Sequence, residues 1–338
     1  MAPSSFRAVA EHLEEASIPV NLDTLLTGIG VLSPWGGKKP FLAAFENGSA
    51  APQPTAEPGT VLTAALTDPP DIANPKLRMT RYMDPASRNA IVALEAAMAD
   101  AAITPEQVAA DPYGFAVVLG TTRGPATTRK KAYEQLRARE GKMLSSTLFS
   151  NCGYNIAAAM AAMAHGIKGP NLTVAARCNL SIQLFRRAWQ LLVARRVHTV
   201  FTGFSECLPS GEESPSRGRE WACIFVLERA ERARQRGATS DVAVVETELE
   251  SPERQAGFFP ERAFRLSLPL PQPFSPAALT DAKPVELNLS NPLEIDSEYL
   301  PLIQAARLRA APYLEENTYV GFPVPTRTGF SVLGVARV

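Results

Sequence analysis

The stretch from Gly166 to Glu206 constrains the fold more strongly than any other part of the sequence. Short apolar segments at 172–175 and 197–202 are typical of buried strands, and apolar residues at helical spacing lie between them. Cys178 follows the first of these segments. The pattern therefore predicts a strand, a sharp turn that contains a thiol, a helix and a second strand. The helical spacing is carried by Ile182, Phe185, Trp189, Leu192 and Val193.

A cysteine at or just before the N-terminus of a helix can be a nucleophile. The first turn of a helix offers unpaired N–H groups and a partial positive charge. Both stabilise the thiolate over the thiol, and the same N–H groups can hold an oxyanion. The alternative interpretation of a single cysteine such as Cys178 is a small residue of the hydrophobic core.

Hydrophobic periodicity predicts elements along the whole chain. Asp84 is expected to cap a helix that carries Pro85 at its first position, and proline-rich segments at 48–75 and 252–273 are expected to be irregular. The inner face of the capped helix consists of Ile91, Leu94, Ala97 and Met98. Other strands are expected at 25–32, 113–120, 220–228, 242–249, 284–289, 318–322 and 330–338, and other helices at 41–46, 151–165, 231–237 and 297–310.

The stretch around the cysteine resembles the nucleophile region of the β-ketoacyl synthases, the condensing enzymes of the thiolase superfamily. The family pattern is roughly G-x-x-G-P, then A-C, a helix, and a strand that ends in G-G-x-E. Further similarity lies at 27–36, 117–121 and 225–238, so that the resemblance spans about residues 20–240. The residues approximately in register with the pattern are Gly166, Gly169, Pro170, Cys178, Gly203 and Glu206.

Strands and helices alternate in two unequal halves, which predicts an α/β protein. The resemblance implies a thiolase-like layered fold (αβαβα) with two related halves, of which the C-terminal half is abbreviated. We expect an N-terminal helical extension at 1–19, a ketosynthase-like N-terminal half at 20–240 and an abbreviated C-terminal half at 241–338. Together these are expected to form a single compact domain.

Composition excludes several classes of function. Lys and Arg number 34, as do Asp and Glu, so the net charge of +0 argues against nucleic acid or a charged membrane as partner. The sequence has no run of 18 apolar residues and no signal-peptide pattern, which predicts a cytoplasmic protein without a membrane span. The four cysteines have no metal-ligand spacing, so no metal site is expected.

The resemblance implies two histidines, both from the second half, that support malonyl decarboxylation. At the place of the first, Asn288 is retained and Ser290 stands where histidine would be. The chain has three histidines, His12, His165 and His198, and all are expected to be surface or helix-end residues. Serine and asparagine lack the proton chemistry of imidazole near neutral pH. We therefore expect that the chain does not condense by itself.

The glycine-rich C-terminal gate of the family is also altered. Gly321 and Phe322 are retained, but Pro323, Val324 and Pro325 follow them. Because proline fixes φ and lacks an N–H donor, the predicted loop is stiffened.

Four apolar residues are candidates for substrate binding. Leu180 could narrow an acyl pocket, and Met160 and Met163 lie on an Ala-rich helix that the resemblance places near the acyl tunnel and the dimer interface. Phe322 of the gate is the fourth candidate. Ordinary core packing is the alternative for each methionine.

The segment at 123–142 is strongly basic. Arg129, Lys130 and Lys131 are interpreted either as a solvated helix face or as a patch for an acyl carrier protein. In the second case the phosphopantetheine arm of the carrier is bound as a substrate group, and no resident cofactor is expected.

Three functions remain open. The leading one is a non-condensing subunit that pairs with an active ketosynthase, as chain-length factors do in type II polyketide systems, although pairing with itself is also compatible. The second is a cysteine-dependent acyltransferase or thioesterase that uses Cys178 with an acyl carrier protein or acyl-coenzyme A. The third is a scaffold or binding protein in which Leu180 and Phe322 close the pocket.

Overall fold

The computed structural model describes residues 23–47, 83–176, 180–207, 221–238, 240, 242–250, 264–267, 284–286, 318–325 and 329–337. The chain forms two compact units. The larger unit comprises residues 27–228 and 291–300, and the smaller unit comprises 1–26, 229–290 and 301–338. The long segment of the larger unit ends at Glu228. The predicted boundaries after residues 19 and 240 stay predictions.

Five strands form the sheet of the larger unit in the order β3-β2-β4-β5-β1. β2 is parallel to β3 and to β4, whereas β4 and β5 are antiparallel. Every residue of β2 and β4 is buried, so these strands form the centre of the sheet. The strands are β1 (Thr24–Leu32), β2 (Phe115–Thr121), β3 (Asn171–Ala175), β4 (Thr199–Glu206) and β5 (Trp221–Arg229).

Helices cover this sheet, and the inner face predicted for the helix after Asp84 is confirmed. The inner-face residues predicted between Ile91 and Met98 are all buried. Asp84 accepts a hydrogen bond from Ala86 N (3.0 Å), which confirms the predicted N-cap. In the helix after the cysteine, Phe185 and Leu192 are buried as expected for an apolar face, whereas Val193 is 43% exposed. The helices are α1 (Lys38–Asn47), α2 (Pro85–Asp100), α3 (Pro105–Ala110), α4 (Ala126–Ala138), α5 (Ser146–Ser150), α6 (Ile156–His165) and α7 (Leu180–Val193).

Two glycines of β1 allow α2 to approach the sheet closely. A Cβ atom at Gly30 would lie 1.9 Å from Ala93 O, and one at Gly28 would lie 2.7 Å from Ala101 Cβ. Any side chain at these positions would overlap the helix backbone or its side chains. The helix is tied to the strand as well, because Asp100 Oδ2 accepts a hydrogen bond from Ile29 N at 2.9 Å.

The smaller unit contains five strands in the order β6-β10-β9-β7-β8. Ala243 of β6 pairs with Leu25, which belongs to the same unit. If the strands of each unit are counted along the chain, both sheets follow the order 1-5-4-2-3. The two halves therefore share a strand order but not the strand directions, because β7 is antiparallel to β8 and β9 whereas β2 is parallel to β3 and β4. Their sequences show no clear repeat. The elements are β6 (Val242–Glu250), β7 (Phe264–Ser267), β8 (Pro284–Glu286), β9 (Thr318–Pro325), β10 (Gly329–Arg337) and α8 (Ala230–Gln235).

The structure corrects several predicted elements. β7 lies inside the segment at 252–273 that was predicted to be irregular, and the second strand of the cysteine region begins at Thr199 instead of residue 197. The predicted helix at 151–165 begins at Ile156. The predicted extension at 1–19, the loop at 48–75 and the helix at 297–310 lie outside the described residues.

The altered gate is part of a strand, so the prediction of a stiffened loop at 321–325 is wrong. Pro323 and Pro325 lie in β9, opposite Val332 and Phe330 of β10. β7 pairs with β9 only as far as Gly321. The prolines therefore lie beyond that pairing, where a strand tolerates the loss of N–H donors.

None of the helices in the described part of the chain is long and apolar enough to cross a membrane.

Candidate functional site

The predicted nucleophile position lies between two described elements. β3 ends at Ala175 and α7 begins at Leu180, two residues after Cys178 in the sequence. Cys178 itself lies outside the described residues, so its role stays a prediction. What the structure shows is the framework on either side of it.

The ends of β2, β3 and β4 are joined by hydrogen bonds on the side of the sheet where Cys178 follows β3. Ala176 N donates to Thr121 O at 3.4 Å, which ties the chain before the cysteine to the end of β2. The carboxylate of Glu206, at the end of β4, accepts a hydrogen bond from Thr122 N. Thr121 Oγ1 in turn accepts from Gly124 N at 2.7 Å. These bonds hold three strand ends in one arrangement beside the predicted nucleophile.

Leu180 packs in the core of the larger unit. Its side chain is fully buried. A Cβ atom at Gly120 of β2 would lie 2.9 Å from Leu180 Cδ1 and 2.6 Å from Leu184 Cδ1. The first turn of α7 therefore lies directly on β2, because Gly120 leaves room for two leucines. That Leu180 narrows an acyl pocket stays a prediction.

The two methionines of α6 lie in different environments. Met160 is partly buried against the core cluster, whereas the side chain of Met163 is 62% exposed. Core packing therefore accounts for Met160, and Met163 faces away from that cluster. Binding of an acyl chain by either residue stays a prediction.

The basic residues of α4 differ in exposure and in their contacts. Arg129 is exposed, Lys130 is half-buried and Lys131 is exposed. The Arg129 guanidinium donates to Tyr154 OH at 2.8 Å, and its central carbon lies 5.0 Å from the centroid of the tyrosine ring. Arg129 is therefore oriented by an aromatic residue that sequence reasoning missed, since no pattern links positions 25 residues apart.

A small cavity of about 10 Å³ lies beneath Tyr154. Its wall includes Ser87 of α2, Thr121 of β2 and Ser205 of β4. Ser205 Oγ donates to Ala86 O at 2.6 Å. Ser87 Oγ is buried without a hydrogen-bond partner among the described residues.

The histidines within the described residues have structural partners. His165 is the last residue of α6, as predicted for a helix end, and its Nε2 atom lies 3.1 Å from Ile91 O. Burial lowers the pKa of His165 and outweighs this hydrogen bond. His12 lies outside the described residues.

For His198 the expectation of a surface position is wrong, because its side chain is only 14% exposed. Nδ1 lies 2.8 Å from Thr199 Oγ1 and Nε2 lies 3.2 Å from Asp111 Oδ2. The ring packs edge-on against Phe115 and over Gly114, where a side chain would collide with it. The ring of His198 can therefore be buried because Gly114 has no side chain.

Three cysteines lie among the described residues. The thiol pKa is shifted for two of them, and neither shift favours the reactive thiolate. Burial raises the pKa of both Cys152 and Cys223. Cys207 is buried, with its Sγ 3.6 Å from Thr127 Oγ1. Within the described ranges, no group of three or more His, Cys, Asp or Glu side chains could hold a metal ion.

Of the three candidate residues in the second half, the structure describes only the backbone of Phe322. Asn288 and Ser290 lie outside the described residues. The backbone of Phe322 belongs to β9, opposite Leu333 of β10. The roles of these three residues stay predictions.

Comparison with known proteins identifies the family. The model described as "Beta-ketoacyl synthase, N-terminal domain" matches residues 43–214, just over half of the chain. The chain is similar in structure to "The ishigamide ketosynthase/chain length factor", with 18% sequence identity and a TM-score of 0.61, over 94% of this chain and 99% of that one. A sequence comparison with proteins of curated function finds no match.

Two further solved structures are similar over about two thirds of the chain. One is "AntDE:AntF (apo): type II PKS acyl-carrier protein in complex with its ketosynthase bound to the hexaketide" (18% identity, TM-score 0.53, 66% of this chain and 68% of that one). The other is a β-ketoacyl synthase from Burkholderia phymatum STM815 (19% identity, TM-score 0.54, 70% and 66%). At such identities the similarity shows the fold alone, and it confirms the predicted α/β, thiolase-like class. With the match of the family model, it follows that the chain belongs to the β-ketoacyl synthase family.

Proposed function

We propose that this chain is a ketosynthase-like subunit that does not condense by itself and that pairs with an active ketosynthase in fatty-acid- or polyketide-type biosynthesis. The observation that carries the proposal is that the sequence has no histidine after His198. Ser290 stands where the resemblance predicts the family's first histidine. Loss of a single donor to a reacting oxyanion lowers the rate by about 10²–10³. A chain that lacks both imidazoles retains the fold but not the means to decarboxylate malonyl groups at a useful rate.

The edge of the larger unit's sheet supports pairing with a second subunit. Among the described strands, β3 is the last one of that sheet, and its only partner there is β2. Three of its five residues are exposed, including Leu172 at 39%. An exposed edge strand presents N–H and C=O groups to which a strand of another chain can add. A partner strand would cover this edge and bury Leu172.

The comparisons support the kind of partner. The structure that this chain resembles over nearly its full length is named a ketosynthase/chain length factor. Another contains an acyl carrier protein in complex with its ketosynthase. We extend both relationships to this chain. Its partners are then a condensing ketosynthase and an acyl carrier protein. The phosphopantetheine arm of the carrier holds the substrate. Arg129, Lys130 and Lys131 supply positive charge toward the acidic carrier.

Co-expression tests the proposal. The tagged chain is produced together with a condensing ketosynthase from the same organism, and the complex is purified on the tag. We expect a heterodimer that condenses acyl and malonyl groups, while the chain alone does not. Two homodimers that never co-purify, or rapid condensation by the chain alone, would overturn the proposal.

A second candidate function rests on the start of α7. This 14-residue helix begins two residues after Cys178, so its first N–H groups can stabilise a thiolate there. The Cys178 sulfur would attack the carbonyl of an acyl thioester, release the carrier thiol and then yield the acyl group to water, an alcohol or an amine. Intact mass after incubation with acyl-coenzyme A or an acyl carrier protein tests this function, with C178A as the control. No adduct with any donor would exclude it.

A further inference from the structure

The side chain of Tyr154 covers the small cavity between α2, β2 and β4. It lies in the segment between α5 and α6 and is 40% exposed, so one part of the ring faces solvent while another lines the cavity. On the inner side the ring touches Gly124, where a Cβ atom would lie 2.9 Å from Tyr154 Cδ1. Because Gly124 has no side chain, the ring can lie flat across the opening. We call this ring the Tyr154 lid.

The lid is held from outside by Arg129. The guanidinium both donates to Tyr154 OH at 2.8 Å and lies against the ring, 5.0 Å from its centroid. The backbone of α4 does not depend on this contact, since Thr128 N donates to the buried carboxylate of Asp84 at 2.9 Å. The Arg129 side chain can therefore leave Tyr154 without displacing the helix that carries it.

The cavity under the lid is lined by the hydroxyl group of Ser87, which is able to form a hydrogen bond with an occupant. Ser87 is fully buried, and its Oγ atom has no hydrogen-bond partner within the described part of the chain. With a volume of about 10 Å³, the cavity has room for roughly one water molecule. A buried hydroxyl without a partner costs free energy, so a site of this kind favours a polar occupant once it opens.

We propose that Arg129 and Tyr154 form a lid that opens when an acidic partner surface binds Arg129. The proposal rests on the proposed function, in which that surface belongs to an acyl carrier protein. A carboxylate binds a guanidinium more strongly than a neutral hydroxyl does, because the bond is charge-assisted and can be bidentate. An acidic partner therefore competes with Tyr154 for Arg129, and the ring, which no longer has its outer contact, turns toward solvent.

The charge around Arg129 selects an acidic partner. The segment at 123–142 contains seven basic and two acidic residues, a net charge of +5, in a chain whose net charge is +0. Tyr133, one helical turn after Arg129, is 69% exposed, and Arg137, a further turn on, is exposed too. Residues at this spacing share one face of a helix, so α4 presents a basic and aromatic face next to the lid. The acidic residues are Glu134 and Glu140, and the basic residues are Arg123, Arg129, Lys130, Lys131, Arg137, Arg139 and Lys142.

Thiol labelling at position 87 measures opening of the lid. In an S87C variant of the full-length chain, a small alkylating reagent reaches the new thiol only when Tyr154 moves away, and peptide mass spectrometry separates this position from the native cysteines. We expect slow labelling in S87C alone and labelling faster by about tenfold when R129Q removes the charged hydrogen bond. The matched control is R196Q, which removes the same charge from an exposed position after α7, outside the basic segment at 123–142, and it should leave the rate unchanged.

The second arm of the experiment adds the partner. Poly-L-glutamate serves as a simple acidic probe and an acyl carrier protein as the specific one. Either should accelerate labelling in S87C and in S87C/R196Q but not in S87C/R129Q. If S87C disturbs the core, backbone amide exchange of the first turn of α2 in the otherwise unchanged protein gives the same comparison.

Equal labelling of S87C with and without R129Q would overturn the lid, as would a rate that neither acidic probe changes. This failure is distinct from failure of the proposed function. A chain that co-purifies with a ketosynthase but shows no response at position 87 keeps its proposed function and loses the lid.

Discussion

The Oδ2 atom of Asp84 accepts a hydrogen bond from the backbone N–H of Thr128 at 2.9 Å, across 44 residues of sequence. The other oxygen of the same carboxylate accepts from Ala86 N and caps α2. Asp84 is fully buried. One carboxylate therefore sets both the start of α2 and the position of the first turn of α4, on which Arg129 lies.

Removal of this carboxylate should destabilise the larger unit. D84A loses an N-cap, which is worth about 1 kcal/mol, and leaves Thr128 N buried without an acceptor, which costs about 1–3 kcal/mol more. D84N should lose roughly half as much, because asparagine caps helices well but offers one acceptor instead of two. Urea unfolding of the three proteins measures the difference. D84A with wild-type stability would mean that Asp84 does not join the two helices.

A methyl group at Gly30 should be poorly tolerated. Its Cβ atom would lie 1.9 Å from Ala93 O, so G30A must push α2 away from β1. We expect a loss of about 3 kcal/mol or more, the upper range for overpacking, or insoluble protein. G37A is the matched control, because the nearest atom to its Cβ is Val31 O at 3.8 Å. Equal melting temperatures for G30A and G37A would contradict the close approach of helix and strand.

The elements that the sequence predicts well are those in which local pattern and final environment agree. The helix after Asp84 shows this best, since its cap, its proline and its inner face all lie where predicted. β7 and the end of β9 show the opposite case. Prolines indicate irregular structure at 252–273 and non-strand structure at 323–325, yet β7 and the last residues of β9 pair with antiparallel strands, which accept a chain whose own residues do not favour a strand.

The candidate site was predictable only in part. The strand before Cys178 and the helix after it follow from apolar periodicity. The packing of Leu180 over Gly120 does not, because no local pattern links these two positions. The contact between Arg129 and Tyr154 does not, because neither residue belongs to a motif and a loop of unknown path separates them in the sequence. His198 was assigned to the surface because nothing in the sequence indicates that Gly114 leaves space for its ring.

Stability should fall below neutral pH in part because of His165. Burial lowers the pKa of this imidazole from its usual value near 6.5. Above that value neither the folded nor the unfolded state binds the proton, so stability is unaffected. As the pH falls below it, the unfolded chain binds the proton first and unfolding becomes more favourable, by at most about 1.4 kcal/mol per pH unit for one group.

The variant H165Q isolates this contribution. Glutamine can still donate to Ile91 O but does not titrate. Urea unfolding at pH 7.5 and pH 5.5 should therefore show a smaller loss of stability in H165Q than in the wild type. An equal loss in both proteins would assign the acid sensitivity to other groups.

A charge on the edge strand should prevent pairing with the ketosynthase. In L172R the guanidinium lies on β3, and charged residues on edge strands are a means by which proteins block the addition of further strands. The control V193R places the same group at the end of α7. Val193 is 43% exposed and Leu172 is 39% exposed, so the two apolar positions are comparable. We expect L172R to weaken co-purification by an order of magnitude or more and V193R to leave it unchanged. Equal recovery of the partner with both variants would move the interface away from β3.

Substitution of Cys178 distinguishes the two proposed functions in the assembled complex. If the chain is a non-condensing subunit, the partner's cysteine does the chemistry, and C178A should leave product formation within about twofold of the wild-type complex. If Cys178 transfers acyl groups, C178A removes the only atom that holds the intermediate, and acyl transfer should fall to background, as loss of a covalent nucleophile does. Product yield and intact mass from the same preparation report both outcomes. The matching cysteine-to-alanine change in the partner ketosynthase is the control, because it should abolish condensation whichever function this chain performs.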